Sequence, residues 1–239
     1  MATLNILFPV LNEELRLADG ITKTMDFMRV HPLMDFQLSI IDNGSTDKTE
    51  QVARELCSKY PEVHYRKIAE KGTGIAVKEG IKNNTCDYVG YMDVDLSTNL
   101  KHLIQVQEFF MQDSDLEFVN GSRFSKASVV SGRKWYRNIT SYGLICMLHI
   151  FLKMKASDAI CGFKFFKKET AEKLISLSSP DERGWFYIIE MLLRAEREGM
   201  KICELPVEWA DDSRTTVKLI PTIKNYIRNI RRLYRIFNK

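Results

Sequence analysis

Acidic residues are missing from the last twenty positions of this 239-residue chain, although Lys224, Arg228, Arg231, Arg232, Arg235 and Lys239 all fall there. The net charge of +4 is therefore a local feature of the tail, and the remainder is too nearly neutral to form the broad basic face that nucleic acid requires. Cysteine is sparse and unordered. Cys57, Cys86, Cys146, Cys161 and Cys203 are odd in number and widely spaced, with no CxxC pair and no histidine at zinc-finger spacing. They read as reduced core thiols of a cytosolic protein. The segment Asn5-Ile6-Leu7-Phe8-Pro9 follows no basic stretch and no apolar signal core, so secretion is not expected. Long hydrophobic runs are also lacking. The longest, Ile139 to Leu152, is broken by Thr140, Ser141, Gly143 and His149 and falls short of the roughly 20 residues a spanning helix needs. What is present, 45% hydrophobic and 28% charged residues, is enough for a full core and excludes disordered and collagen-like chains.

Short runs rich in Ile, Val, Phe and Tyr punctuate the first half: Asn5 to Val10, Gln37 to Asn43, Val63 to Ile68, Tyr88 to Asp95 and Leu116 to Gly121. Stretches of helical period separate them, opened by Ser45-Thr46-Asp47 before Thr49 to Lys59, by Thr73 before Ile75 to Asn83, and by Thr98-Asn99 before Leu100 to Met111. This alternation predicts an α/β fold with a mainly parallel sheet. Beyond residue 122 the pattern predicts a basic loop from Ser125 to Arg137, a long helix, a strand Gly162 to Lys167, helices Lys168 to Ser178 and Trp185 to Glu198, and a strand Ile202 to Trp209. No linker or repeat interrupts it, so residues 1–218 are expected to form one domain, with 1–122 and 123–218 as its two halves.

In open sheets of this kind ligands lie beyond the carboxyl ends of the strands. The apolar run Tyr91-Met92 ends there in Asp93-Val94-Asp95, two carboxylates one residue apart, which can gather a hard divalent cation and through it a diphosphate. Alone, such a triplet is equally a solvated turn. Three further strand ends carry polar residues: Pro9-Val10-Leu11-Asn12-Glu13, Asp42-Asn43-Gly44-Ser45-Thr46-Asp47 and Lys71-Gly72-Thr73-Gly74-Ile75-Ala76. The second also suits a plain turn and helix cap, and the third a helix start that favours anions.

Taken in chain order, with Asp93-Val94-Asp95 last, these four segments resemble the signature of the glycosyltransferase family 2 enzymes. The resemblance narrows to the dolichyl- or undecaprenyl-phosphate hexose synthases through Gly121-Ser122-Arg123, Asp158-Ala159-Ile160-Cys161-Gly162-Phe163-Lys164, Gly184-Trp185 and Glu204-Leu205-Pro206-Val207-Glu208-Trp209, and so covers nearly the whole chain. It implies a GT-A fold, Rossmann-like, its mainly parallel sheet flanked by helices and followed by a C-terminal amphipathic helix. It also implies an inverting, metal-dependent transfer of a hexose or N-acetylhexosamine from a uridine-linked nucleotide sugar to a polyprenyl phosphate, in the making of cell-envelope glycans or glycoconjugates. Pro9, Asn12, Glu13, Asp42, Lys71 and Asp93 would contact the donor nucleotide. Asp93 and Asp95 would hold Mg2+ or Mn2+. Related synthases often carry Gln two places after the second Asp, where this chain has Ser97.

The acceptor side follows from chemistry and resemblance together. A hydroxyl acceptor needs a general base, whereas a phosphate monoester, with a second pKa of about 6, is already a nucleophilic dianion that needs only positive charge to hold it. Arg123, Arg133 and Arg137 offer that charge, though a solvated surface would also explain Arg133 and Lys134. The resemblance puts Arg123 and Arg137 on the acceptor side and Asp158 near the reaction centre, so that Asp95, Asp158, Arg123 and Arg137 form the catalytic group. It assigns Arg214, with Lys218 as a substitute, to the diphosphate or acceptor phosphate. Asp158 either orients an arginine or acts as base toward a hydroxyl of a polysaccharide, a lipid-linked oligosaccharide or a protein. A noncatalytic nucleotide-sugar-binding membrane adaptor is the alternative of another class.

From Leu219 onward apolar residues recur at helical spacing with basic ones between them, and Pro221 suits a first turn. This segment, 219–239, is expected either to lie on the inner, cytoplasmic face of a membrane or to dock on its own core. A small integral-membrane partner or a homo-oligomer would add anchorage.

Overall fold

The computed structural model describes residues 1–211 and 219–238. β1 (Thr3–Val10), β2 (Asp35–Asp42), β3 (Val63–Lys67), β4 (Tyr88–Met92) and β5 (Phe118–Ser122) alternate with α1 (Leu17–Val30), α2 (Thr49–Lys59), α3 (Thr73–Lys82) and α4 (His102–Gln112). There follow β6 (Val129–Ser131), α5 (Trp135–Leu152), β7 (Phe163–Lys167), α6 (Lys168–Leu177), α7 (Phe186–Arg197), β8 (Ile202–Pro206), β9 (Glu208–Ala210) and α8 (Leu219–Phe237).

Seven strands form one sheet in the order β3-β2-β1-β4-β7-β5-β8, and β6 pairs with β9 beside it. β7 runs antiparallel to both β4 and β5, while the other neighbours are parallel. Every strand of the large sheet except β7 therefore leaves it at the same edge. That edge collects the residues after Val10, Asp42, Met92, Ser122 and Pro206, together with those just before Phe163. The strand order reverses between β1 and β4, the position at which open α/β sheets leave a crevice for ligand.

Apolar residues fill both faces. Leu17, Ile21 and Met25 of α1, Leu56 of α2 and Leu103 and Val106 of α4 are buried on one side. Val77 of α3, Leu148 of α5, Leu174 of α6, Leu192 of α7 and Leu233 of α8 are buried on the other. Each such side chain contributes roughly 1.5–3 kcal/mol relative to exposure.

The structure departs from the sequence reading in four places. α1 was not anticipated: its buried face, Leu17, Gly20, Ile21, Thr24, Met25 and Met28, has helical period, but Arg16 at its start makes no side-chain cap. β4 stops at Met92, because the chain turns at once, with the Leu96 N–H donating to the Asp93 carbonyl at 3.2 Å and Leu96 at φ 54°. The expected strand 202–209 divides at Val207, whose N–H bonds the Ser122 carbonyl, and β9 then pairs with β6 inside the expected basic loop. α5 begins at Trp135, so Arg137 lies in its first turn.

α8 docks on the molecule along one face. Ile230 and Leu233 enter the core, Arg232 pairs with the fully buried Glu190, and Asn225 and Asn229 donate to Glu182. Glu182 also accepts the Gly184 N–H at 2.9 Å. That turn presses on the loop carrying Lys71, since a Cβ at Gly72 (φ +143°) would lie 2.1 Å from the Arg183 carbonyl oxygen. α8 is thus tied by polar contacts to one wall of the crevice.

Candidate functional site

Two loops interlock where β1 and β2 end. Asn12 sits at φ 57°, a left-handed conformation that Asn tolerates better than most residues. Its N–H donates to Ser45 Oγ at 2.9 Å and its Oδ1 accepts the Thr46 N–H at 2.8 Å. The Glu13 N–H donates to Thr49 Oγ1, and the Glu13 carboxylate takes both arms of the Arg16 fork at 2.7 Å. Asp42 is fully buried, accepting the Ser45 N–H at 2.8 Å and the Tyr65 hydroxyl at 2.9 Å. In this structure it shapes the 43–49 turn, using two of a carboxylate's roughly four acceptor positions. Asn43 Oδ1 accepts the Gly72 N–H at 3.1 Å, which brings exposed Lys71 over Gly44. Half-buried Pro9 pairs with Ile41 across the sheet. Pro9, Asn12, Glu13, Asp42 and Lys71 are therefore collected at one rim.

Beside them stands the turn after β4. The Ser97 N–H donates to Asp95 Oδ1 at 2.9 Å, fixing that carboxylate to its own turn. Burial raises the Asp93 carboxyl to about 7, and the neighbouring charge of Asp95 adds to the rise while Arg123 opposes it. Asp93 lies against Gly162, where a Cβ would come within 2.1 Å of Oδ2. A carboxylate whose ionisation is disfavoured by burial and by the charge of Asp95 suits a hard divalent cation that would relieve that repulsion. No cluster of three Asp, Glu, His or Cys forms among the described residues, so other positions around a cation would go to water or a ligand's oxygens.

Positive charge gathers on the opposite side. Fully buried Asp158 accepts four N–H groups: Arg123 Nε at 2.7 Å, Arg123 Nη2 at 3.1 Å, and the backbone of Arg123 at 3.1 Å and Ile160 at 2.9 Å. Burial alone would raise its pKa, but the charge and hydrogen bonds of Arg123 outweigh it and hold the carboxyl below its ordinary value. Its acceptor positions are filled, so it presents no free lone pair to a substrate.

Arg133 stacks near Arg123. The guanidinium of Arg123 lies 5.4 Å from the ring centres of both Phe124 and Trp209, and that of Arg133 lies 5.4 Å and 5.7 Å from the same two rings. Arg133 Nη2 donates to Ser141 Oγ at 2.6 Å, yet its Nε and Nη1 are buried and find no partner among the described residues. Burial, then the charge of Arg123, pulls its pKa down to about 10. A buried donor left unpaired costs roughly 1–3 kcal/mol. Arg137 pairs with Asp211, the residue just before 212–218. Arg214 and Lys218 lie outside the described residues.

The two sides are joined. The Ala210 N–H bonds the Ser97 carbonyl at 2.8 Å, and Thr98 bridges to Trp209. Sequence reasoning did not identify Phe124, Trp209 and Gly162 as parts of the site, nor Glu182 as a support of its wall. The adjacency Arg123-Phe124 was a visible cue for the stacking; nothing in the sequence shows that Trp209 reaches the same arginines.

Residues 5–175 match the profile of the family described as Glycosyl transferase family 2. The chain is 27% identical over 221 residues to Glycosyltransferase AglD of Haloferax volcanii, covering 92% of this chain and 35% of that protein. It is 29% identical over 219 residues to the dolichyl-phosphate beta-glucosyltransferase of Dictyostelium discoideum, covering 87% of this chain and 66% of that protein. It thus spans less than two thirds of either relative. Among solved structures, glucosyl-3-phosphoglycerate synthase of Mycobacterium tuberculosis with uridine diphosphate superposes at a TM-score of 0.70 and 18% identity, covering 98% of this chain and 79% of that one. The same enzyme with Mn2+, uridine diphosphate and glucosyl-3-phosphoglycerate gives 0.69 at 16% identity, covering 97% of this chain and 78% of that one. The architecture is that of the GT-A fold.

Proposed function

This chain belongs to glycosyl transferase family 2, and on that premise we propose that it moves a hexose or N-acetylhexosamine, with inversion, from a uridine diphosphate sugar to a polyprenyl phosphate at the cytoplasmic face of a membrane. The observation that carries this reading is Arg133, two of whose buried nitrogens, inside a cluster of three arginines, have no partner among the described residues. A phosphate brought there would receive charge-assisted hydrogen bonds from donors that are otherwise unpaired.

Donor binding falls to the opposite rim. The nucleotide would lie along Pro9, Asn12, Glu13 and the Asp42 turn, with Lys71 toward its phosphates. Asp93 and Asp95 would hold Mg2+ or Mn2+, which when bound supplies positive charge to the departing diphosphate. The 93–98 turn meets β9, and β9 carries Trp209 to the arginines, so donor and acceptor charges share one frame. The dolichyl-phosphate beta-glucosyltransferases among the relatives and the uridine diphosphate held by a structural neighbour support the same assignment.

A hydroxyl acceptor would need a base. Asp158 is a poor one, because its four acceptor positions are taken and its pKa is held low. Asp158 is better suited to orienting Arg123 toward the incoming phosphate. A noncatalytic adaptor would have no need of a buried Asp93 carboxylate whose ionisation Asp95 opposes. Among the described residues no helix is long and apolar enough to cross a membrane, so access to a lipid acceptor would come from surface contact, with the basic segment 219–239 contributing.

The test is transfer of label from a panel of uridine diphosphate sugars to undecaprenyl phosphate in detergent with Mg2+ or Mn2+. Label entering the organic phase with wild type and lost in Asp95→Ala is expected. Metal-dependent binding of a nucleotide sugar with no lipid product from any donor would overturn the acceptor assignment.

A further inference from the structure

We propose that the outward face of α5 is the surface on which this protein seats on an anionic bilayer. The inference rests on the lipid-phosphate reading of the acceptor and assigns the docking chiefly to α5, where the sequence had pointed to 219–239.

The sequence of α5 contains no acidic residue. Trp135 is 72% exposed, Ile139 61%, Tyr142 56% and Ile150 66%, and Cys146 between them is exposed as well. Their spacing of four, three, four and four residues places them on one side of a helix. Ser141, Leu144, Ile145, Leu148 and Leu152 are buried on the other side, so the outward residues are not waiting for the core. The stripe runs about 22 Å along the helix, far more than the single exposed apolar residues that a soluble surface normally scatters.

Charge selects the occupant. Exposed Lys134 stands at one end of the stripe and exposed Lys153 and Lys155 at the other. α8, which shares the core with α5 through Ile230 and Leu233, also lacks acidic residues and exposes Lys224, Arg228, Arg231 and Arg235. A second copy of the chain would bring like charges together across this face. An anionic membrane meets both properties, since apolar side chains enter the acyl boundary while lysine and arginine meet lipid phosphates. Trp and Tyr within the stripe suit the headgroup level.

The face also leads to the site. Tyr142 packs against Phe124, with ring centres 4.7 Å apart, and Phe124 underlies Arg123 and Arg133. Arg137 lies in the first turn of the same helix. A lipid phosphate at the plane of the headgroups would reach the arginine cluster without leaving the membrane.

The experiment is flotation of the full chain with vesicles of phosphatidylglycerol and phosphatidylcholine, alongside transfer to a short-chain, water-soluble polyprenyl phosphate. Ile139→Glu with Ile150→Glu is expected to lower vesicle binding by about tenfold or more while retaining short-chain transfer. The milder pair Ile139→Ser with Ile150→Ser, checked by circular dichroism, is expected to do the same in part. Wild-type flotation by both α5 variants would overturn the proposal, as would a loss confined to Arg228→Gln with Arg231→Gln, or wild-type dimers that the α5 variants convert to monomers. If flotation depends on α5 but no polyprenyl phosphate of any length accepts sugar, the docking surface stands and the acceptor assignment falls.

Discussion

Gly162 leaves room for the carboxylate of Asp93: a Cβ at position 162 would stand 2.1 Å from Asp93 Oδ2 and 2.6 Å from its Cγ. Backbone on β7's approach and side chain on β4's exit therefore share one space. Gly162→Ala must displace Asp93. The variant is expected to lose at least about tenfold in kcat/KM through misplacement of a metal-site residue and about 1–3 kcal/mol of stability through overpacking. Titration with Mn2+ and a thermal melt check this; wild-type Mn2+ affinity in the variant would contradict it.

Asp93 also makes the metal site sensitive to pH. Its native pKa of about 7 exceeds the ordinary 3.8, so between those values the native state holds a proton that the unfolded chain has released. Stability of the metal-free protein is then expected to fall as pH rises through that window. Proton and cation compete for the same carboxylate, so Mn2+ affinity is expected to rise with pH up to about 7. Denaturant titrations across pH, with Asp93→Asn as reference, measure the first effect; equal slopes in the two proteins would contradict it.

Arg133 separates stability from function. Its Nε and Nη1 are unpaired among the described residues, so Arg133→Met should leave the thermal midpoint unchanged or slightly raised. The KM for the lipid acceptor should rise about tenfold to a hundredfold, equivalent to one or two lost charge-assisted hydrogen bonds. A destabilised variant with an unaltered acceptor KM would show that Arg133 is only a structural residue.

Asp158→Asn discriminates between orientation and base catalysis. Arg123 is 8% exposed at its side chain and would lose its charge partner, so a loss of about 3–5 kcal/mol is expected. Activity should fall mainly through the acceptor KM, and the pH profile should keep its shape. Loss of the acidic limb of that profile with stability intact would identify Asp158 as a base.

Much of the crevice was legible because it is built from chain order. Asp42, Asp93 and Arg123 follow apolar runs, and parallel strands deliver such residues to one edge whatever the details of packing. α1 was obscured because Arg16 offers no cap and the preceding Asn12-Glu13 reads as loop, although the spacing of Leu17, Ile21, Met25 and Met28 was there to be found. The stacking of Arg123 and Arg133 on Trp209 depends on a contact across 76 to 86 residues of chain, which no local pattern encodes. α8 showed its amphipathic period, but its polar residues divide between solvent and buried carboxylates. Asn225, Asn229 and Arg232 reach Glu182 and Glu190, and only the fold reveals those partners.

The bond made in the reaction tests the central claim most directly. Phosphorus NMR of the purified lipid product should show the acceptor's monoester converted to a phosphodiester bearing the sugar, cleaved by mild acid. An unchanged monoester resonance, with the sugar recovered only as an acid-stable glycoside of a hydroxyl-bearing acceptor supplied beside the polyprenyl phosphate, would contradict the account.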